Sequence, residues 1–427
     1  MPSGDMSEFG GWPRPPRWVW AVAGVAAVAV LAGVVVARTG PHHAAGSSPS
    51  RSPAAGASLV PGSRTPAAGS AARWPSAAGA CGSTVDLPQI RLARQHAHVH
   101  GRVLVGGTGL RQVTLGGAVS GPLPGLPEHS RLVTSLVAGP GAAYAFDTPC
   151  FSSTASVRVY RIMAGAARRL RTTADALLGG PHRAWAVTYR AHHTVLTSPA
   201  GGRAVTFTSN IAPVADTAAG LVVAVYHPPA GRRDTVELLD PDTGAVLRRL
   251  GGGSPMGAAG HVLLVSLHDC AGPPAHGTCT LESIYLNTGR PAAPAELPAG
   301  RVPVSGDLAS PVFSPDGTLA AFQLARARPD PRFAAAAPGP PSDVAVLHLR
   351  TSRLDIVPGL ELPPRTWAGL AFDPTGSWLL ATVSQGNHGE LLAWRPGMPG
   401  PALVTSLPGP LAEAPPLLPA PSWWRTG

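Results

Sequence analysis

Short apolar runs separated by turn residues recur along most of the chain. Seven such runs lie between residues 81 and 427, and the first five begin about 40 residues apart, the spacing of a repeat. They are RVLVGG (102–107), AAYAFD (142–147), RAWAVTY (183–189), LVVAVY (221–226), HVLLVS (261–266), TLAAFQL (318–324) and SWLLATV (377–383). Apolar runs of this length between Gly, Pro and Asp residues predict strands rather than helices.

Each of these runs is followed by a second one, and several then turn into a third. The second runs are RQVTLG (111–116), VRVYRI (157–162), TVLTS (194–198), TVELLD (235–240), ESIYLN (282–287), DVAVLHL (343–349) and ELLAWR (390–395). Several strands in a period of about 40 residues are typical of a β-propeller blade, which buries both faces only by stacking in a ring. We predict an all-β fold, a β-propeller of seven four-stranded blades. Six or eight blades, a large sandwich, or two smaller β domains are the alternatives.

Two of the predicted blades contain a similar tight turn. The stretches are FSPDGTLAAF (313–322) and AFDPTGSWLLATV (371–383). In each, proline fixes φ, the next polar side chain can bond to the backbone, and glycine takes positive φ. Both stretches resemble the blade motif of TolB-like propellers, which marks a blade and implies no particular activity. TolB-like proteins usually have six blades and a separate α/β domain, and that domain has no counterpart before residue 81.

The last residues of the chain are expected to close the ring. The stretch APSWWRTG (420–427) follows the seventh predicted blade and resembles the start of another. We expect it to pair with strands near residues 85–105, where Trp423 and Trp424 would bury large apolar areas.

The amino-terminal part contains a candidate membrane span. Residues 18–37, WVWAVAGVAAVAVLAGVVVA, carry no charge and no proline. As a helix they would be about 30 Å long, the thickness of the hydrocarbon core of a bilayer. We predict an uncleaved signal anchor after a short cytoplasmic tail (1–17). A signal peptide cleaved near residue 37 is the alternative, although its apolar core would normally be shorter.

The segment after the predicted span differs sharply in composition. Residues 38–80 are almost all Ala, Pro, Gly, Ser and Arg. Such a segment buries too little apolar surface to offset the entropy of ordering it, which predicts a disordered stalk. The propeller, residues 81–427, would then lie outside the cytoplasm, held at the cell membrane by a single-pass anchor.

The four cysteines fit an oxidising exterior. Cys270 and Cys279 bracket a Pro/Gly loop between two predicted strands, a spacing suited to a disulfide. Cys81 and Cys150 would then pair by default. No C-x-x-C occurs, which disfavours the zinc alternative.

The net charge of +10 comes without any lysine, because all 33 cationic residues are arginines. This composition is typical of a GC-rich genome. The arginines are scattered, with RRLR (168–171) as the densest run. Because nucleic-acid binding needs a concentrated basic face, we expect no nucleic-acid partner.

Motifs of catalysis are mostly missing from the sequence. It has no G-x-S-x-G and no H-E-x-x-H, and without lysine it has no phosphate loop of the G-x-x-x-x-G-K type. The strongest metal candidate is HAHVH (96–100), since His96, His98 and His100 would share one face of a strand. No acid lies close by to orient the rings, and an edge strand with polar residues toward solvent explains the run equally well. We therefore expect neither metal nor cofactor.

These observations favour a membrane-anchored binding module over an enzyme. A non-catalytic propeller outside the cytoplasm would bind a protein, a peptide or a polymer of the cell envelope. A propeller enzyme of the lactonase, glycosidase or quinoprotein type is the alternative, and it predicts clustered carboxylates or histidines at the ends of the inner strands. An apolar channel rich in Trp or Arg would favour the binding module.

Overall fold

The computed structural model describes residues 90, 92–93, 97, 99–126, 131–149, 157–163, 165–202, 204–208, 210–226, 234–267, 279–304, 310–326, 341–364, 366–385, 388–408 and 416–419. Every regular element longer than a turn within these ranges is a β-strand. Among them there is no helix of sufficient length and hydrophobicity to cross a membrane. The predicted tail, membrane span and stalk lie outside the described residues.

The strands form seven antiparallel sheets, so the chain is a seven-bladed β-propeller, as the spacing of its apolar runs predicts. Blade 1 contains β1 (Arg102–Gly107), β2 (Gly109–Thr114), β3 (Val119–Pro122) and β30 (Leu417–Pro419); blade 2 contains β4 (Arg131–Gly139), β5 (Ala142–Pro149), β6 (Arg158–Met163) and β7 (Ala166–Arg169); blade 3 contains β8 (Ala176–Leu178), β9 (Trp185–Tyr189), β10 (His193–Thr197) and β11 (Val205–Thr208); blade 4 contains β12 (Ile211–Thr217), β13 (Gly220–Val225), β14 (Thr235–Leu239) and β15 (Val246–Gly252).

The remaining blades follow in chain order. Blade 5 contains β16 (Ser254–Ala259), β17 (Val262–Ser266), β18 (Thr280–Tyr285), β19 (Arg290–Pro291) and β20 (Ala295–Glu296); blade 6 contains β21 (Arg301–Pro303), β22 (Val312–Phe313), β23 (Leu319–Arg326), β24 (Ser342–His348) and β25 (Arg353–Leu362); blade 7 contains β26 (Gly369–Phe372), β27 (Leu379–Gln385), β28 (His388–Trp394) and β29 (Ala402–Pro408). In blades 5 and 6 one of the four strand positions is shared by two short strands.

The seven runs that define the repeat are the second strands of the blades. Every residue of β13 and of β17 is buried, because neighbouring blades cover both faces of these strands. One apolar cluster joins Val222 and Leu250 of blade 4 to Leu263 and Ile284 of blade 5. The core therefore lies between the blades, where stacking removes apolar surface from water.

The first strands of successive blades contact one another in a closed circle. The circle runs through β4, β8, β12, β16, β22, β26 and β30. The first strand of each blade is therefore innermost and borders the central channel, while the fourth strand lies at the rim. We call the strands of this circle, together with β21, the inner strands.

The two ends of the propeller differ in their connections. At one end, the turn face, the first strand joins the second in blades 2 to 7, and the third strand joins the fourth in every blade; the PDG turn (315–317) and the PTG turn (374–376) lie here. At the other end, the loop face, the second strand joins the third and successive blades are connected. The connections between β17 and β18 and between β23 and β24 leave from the loop face.

Ring closure involves a strand slightly earlier in the chain than the predicted tail. Strand β30 pairs with β1, with Leu418 opposite Leu104. The Gly106 N–H donates a hydrogen bond to the carbonyl oxygen of Pro416 at 2.9 Å. The partner lies in the predicted region 85–105, but residues 420–427, with both tryptophans, lie outside the described residues. Proline residues around Leu417 and Leu418 hide this strand from pattern reading.

Candidate functional site

The central channel has few ionisable residues along its inner strands. In the described ranges these strands carry only Arg131, Arg301 and Asp216 as ionisable side chains, and otherwise small, aliphatic, aromatic or hydroxyl residues. Asp175, just before β8, lies at the loop face and its carboxylate accepts the Tyr189 N–H at 2.7 Å. Asp216 lies at the opposite end. The described inner strands thus bring together no pair of carboxylates of the kind that a glycosidase needs.

Asp216 joins blade 4 to blade 3 at the turn face. Its side chain is fully buried, and it lies 3.0 Å from Nδ1 of His182 and accepts the Arg183 N–H at 3.2 Å. A Cβ atom at Gly180 would lie 2.4 Å from this side chain, so the close approach requires glycine. Arg183 extends the link with an ion pair to Asp242.

The His182–Asp216 pair resembles part of a catalytic triad, but its surroundings indicate a structural role. The guanidinium of Arg183 lies over the ring of buried Trp185, 4.9 Å from its centroid. The carboxylate of Asp216 is occupied by the loop of the neighbouring blade, and no serine or cysteine hydrogen-bonds to His182 in the part of the chain that the structure describes. Sequence reasoning missed this pair because its two residues belong to different blades.

A row of charges crosses blade 6 at the loop face. Arg326 donates to Asp343 at 2.8 and 3.3 Å and also pairs with Glu361. Arg301 forms an ion pair with the same Asp343. The register explains the row, because Arg301 lies opposite Arg326 and Asp343 lies opposite Glu361. Two cations and two anions compensate each other here, with Asp343 buried and the other three partly exposed.

Of the three histidines in the predicted cluster, only His100 lies within the described residues. His100 is exposed, and the preceding Val99 is buried. His96 and His98 lie outside the described residues. Across the described ranges no three His, Cys, Asp or Glu residues come close enough to hold a metal ion. The pair His192 and His193 is exposed at the start of β10.

One of the four cysteines falls within the described residues. Cys279 is buried just before β18 and is not a free thiol. Its backbone carbonyl accepts the Leu297 N–H at 2.9 Å. Cys81, Cys150 and Cys270 lie outside the described residues, so both predicted disulfide pairings stay predictions.

The fold is that of a seven-bladed propeller whose described inner strands carry few ionisable residues. No family model matches the chain, and no curated protein matches it either. Among solved structures it is similar to TolB from Acinetobacter baumannii, with 15% identity, 75% of this chain and 67% of that chain covered, and a TM-score of 0.37.

Two further solved structures show the same general likeness. A putative 6-phosphogluconolactonase from Bacteroides uniformis has 12% identity, covers 74% of this chain and 99% of its own, and has a TM-score of 0.44. A GH74 enzyme from Niastella koreensis has 12% identity, with 75% of this chain and 55% of that chain covered, and a TM-score of 0.44. Likenesses at this level concern the fold alone, so they assign no ligand to the channel.

Proposed function

We propose that this protein is a non-catalytic binding module, anchored in the cell membrane by residues 18–37. The propeller lies outside the cytoplasm at the end of the stalk and binds a protein or peptide partner at its loop face. The observation that carries the proposal is the composition of the inner strands, whose described residues are mostly apolar or hydroxyl-bearing and include no cluster of carboxylates or histidines. Recognition without chemistry needs shape and a few anchoring side chains rather than titrating groups.

The residues at or just before the start of the inner strands, at the loop face, form what we call the channel mouth. They include Ile211, Ser254, Arg301 and Trp367, which are partly or fully exposed. Trp367 and Arg301 are the residue types most enriched among energetic anchors of protein interfaces. Long connections leave from the same face, and such connections carry binding functions on many rigid scaffolds.

The proposal is tested by crosslinking in intact cells that express the full-length chain, followed by affinity purification and mass spectrometry. The unchanged protein is compared with Trp367→Ala at the channel mouth. Tyr285→Ala is the control, because Tyr285 is an exposed aromatic residue at the turn face, far from the channel mouth along its blade. Thermal unfolding of the three proteins confirms that each is folded.

A single protein recovered near stoichiometry, lost in Trp367→Ala and retained in Tyr285→Ala, supports a partner at the channel mouth. A partner that both variants retain contradicts the location. Recovery of the chain alone contradicts a protein partner and points to a polymer or small-molecule ligand.

A further inference from the structure

The outer strands of blade 2 place two arginines directly opposite each other. In the register of β6 and β7, Arg161 lies opposite Arg168. Directly opposed residues of an antiparallel pair project to the same side of the sheet, with Cβ atoms about 4.5–5.5 Å apart. Arg168 is exposed, and so are Arg169 and Arg171, which follow it in the chain. Arg169 lies opposite Tyr160, so it projects to the other side of the edge strand from Arg168. The rim of blade 2 therefore concentrates positive charge around its edge strand, and we call these four residues the blade 2 arginine patch.

Elsewhere in the propeller, the register places arginines opposite carboxylates. In blade 4, Glu237 lies opposite Arg249 and accepts a hydrogen bond from its Nε at 3.2 Å. In blade 2 itself, the other end of the sheet places Asp147 opposite Arg158. Opposed positions in the sheets of this propeller can thus be occupied by an arginine and a carboxylate.

The opposed pair of arginines has no such compensation. Within the described ranges, no carboxylate forms an ion pair with Arg161 or Arg168. Nε of Arg161 is buried and has no hydrogen-bond partner. Arg161 also lies opposite the buried Tyr144 of β5, which limits how far its side chain can turn away. Like charges placed directly opposite destabilise a sheet, so the arrangement has an energetic cost that an anion would offset.

We propose that the blade 2 arginine patch binds a linear polymer, other than a nucleic acid, that carries a phosphate on each repeat. Guanidinium groups bind phosphate through paired N–H donors, and two of them side by side can hold one phosphate between them. Arg169 and Arg171 are exposed beyond Arg168 and extend the positive charge around the edge strand, farther than one phosphate spans, which suits a repeating anion better than a single one. The patch lies on the outer strands, whereas the channel mouth lies on the inner strands. This inference is therefore independent of the proposed function.

Binding of labelled linear polyphosphate to the full-length chain, followed by fluorescence anisotropy over a range of salt concentrations, tests the proposal. The test variant is Arg161→Gln with Arg168→Gln. The matched control is Arg249→Gln with Arg353→Gln, which removes the same charge from two arginines that have carboxylate partners. Arg168→Gln alone serves as a second test variant, because Arg168 is exposed and its replacement leaves the core intact.

We expect the test variant to bind at least about tenfold more weakly than the unchanged protein, as the loss of charged hydrogen bonds predicts. The slope of log affinity against log salt should fall by about 1.4, or about 0.7 for each lost phosphate contact. The control should change neither quantity beyond the effect of net charge. The melting temperature of the test variant should stay level or rise, because the repulsion between the two arginines is gone.

Several results would overturn the proposal. One is equal loss of binding in the test and control variants, which would assign the effect to net charge. Another is competition by inorganic phosphate at the same phosphate concentration as the polymer, which would show an adventitious ion only. Binding to vesicles of anionic phospholipid without binding to polyphosphate would assign the patch to a lipid surface. If the double variant fails to fold, unchanged binding by Arg168→Gln is the overturning result.

Discussion

Asp240 and Asp316, at the turn face, are held by the turns themselves, whereas Glu282, toward the loop face, lies half-buried on a strand. At the turn face, backbone and side-chain hydrogen bonds from Thr243 lower the pKa of Asp240. The Ser314 hydroxyl, together with Thr318, likewise lowers the pKa of Asp316. Toward the loop face, burial raises the pKa of Glu282. The ionised forms of Asp240 and Asp316 thus stabilise the folded protein, whereas the ionised form of Glu282 destabilises it.

The turns of neighbouring blades also interlock. A Cβ atom at Gly101 of blade 1 would lie 3.3 Å from Cγ of Pro374 in blade 7. One at Gly376 of blade 7 would lie 3.3 Å from Cδ of Pro315 in blade 6. Together with the buried Asp216, these contacts connect blades at the turn face. The comparison indicates that contacts at the turn face help to hold the ring together, whereas the binding that we propose involves the loop face.

The largest expected effect comes from opening the ring. A chain that ends at Pro415 lacks β30, so β1 loses its pairing partner and Leu104 becomes exposed. Exposing each large aliphatic side chain costs about 1.5–3 kcal/mol, and the loss of several approaches the total stability of about 5–15 kcal/mol. We expect an insoluble or unfolded protein, as judged by circular dichroism and thermal unfolding.

A chain that ends at Pro419 is the control, because it keeps β30 and lacks only residues 420–427. If this control is equally unfolded, the residues after β30 contribute to closure as much as the strand does. A stable chain ending at Pro415 would contradict closure through β30.

The buried carboxylate of the turn face should give the next largest effect. Asp216→Ala leaves the Arg183 N–H without its acceptor and removes the partner of His182. Loss of a buried, hydrogen-bonded carboxylate is expected to lower the free energy of unfolding by about 2–4 kcal/mol. Denaturant unfolding measures the change.

The control is Asp242→Ala, since Asp242 pairs with the neighbouring Arg183 but is largely exposed. An exposed ion pair contributes about 0–1 kcal/mol, so this variant should lie close to the unchanged protein. Equal effects of the two substitutions would mean that burial of Asp216 does not matter, against the proposed link between blades.

The two copies of the motif turn offer a smaller and more closely matched pair. Gly317 and Gly376 have φ values of +67° and +75°, so alanine is strained at both. A left-handed alanine costs about 1–2 kcal/mol at either position. Gly376→Ala should cost more than Gly317→Ala, because its Cβ meets Pro315 whereas that of Gly317 meets open space. Equal losses in denaturant unfolding would contradict the interlocking of blades 6 and 7.

The sequence predicts the blades well because their signals are local. A buried second strand needs a continuous apolar run, and a tight turn needs Pro, Asp or Gly at fixed positions, so both can be read from a short window. Ser314 and Asp373 illustrate this, since each closes its own turn with a backbone hydrogen bond within five residues.

The contacts that the sequence misses are set by register and by blade stacking. His182 and Asp216 meet only because adjacent blades are stacked, and Arg161 meets Arg168 only because of the register of one hairpin. The sequence shows RRLR as a basic stretch, but it does not show that Arg168 lies opposite Arg161. Such contacts depend on the assembled ring, and no local pattern of residues specifies them.

The smallest expected effect concerns two carboxylates whose pKa values shift in opposite directions, Asp316 at the turn face and Glu282 toward the loop face. The pKa of Asp316 is lower in the folded protein than the 3.8 of an unperturbed group, so its stabilisation is present above that pH and is lost as pH falls through the folded value. Ser314→Ala removes the main cause of this shift. We expect the variant to be less stable than the unchanged protein at neutral pH, with the difference narrowing in acid.

Glu282 should behave in the opposite way, because its folded pKa lies above the unperturbed 4.5. Stability that depends on its protonated form is complete below pH 4.5 and is lost as pH rises through the folded value. Glu282→Gln removes the charge, so the variant should match the unchanged protein near pH 4 and melt slightly higher at pH 7. Melting temperatures measured across this range would show the two variants diverging from the unchanged protein in opposite directions as pH rises. If the melting temperatures of both variants instead changed in the same direction with pH, the pKa values of Asp316 and Glu282 would not be shifted in opposite directions.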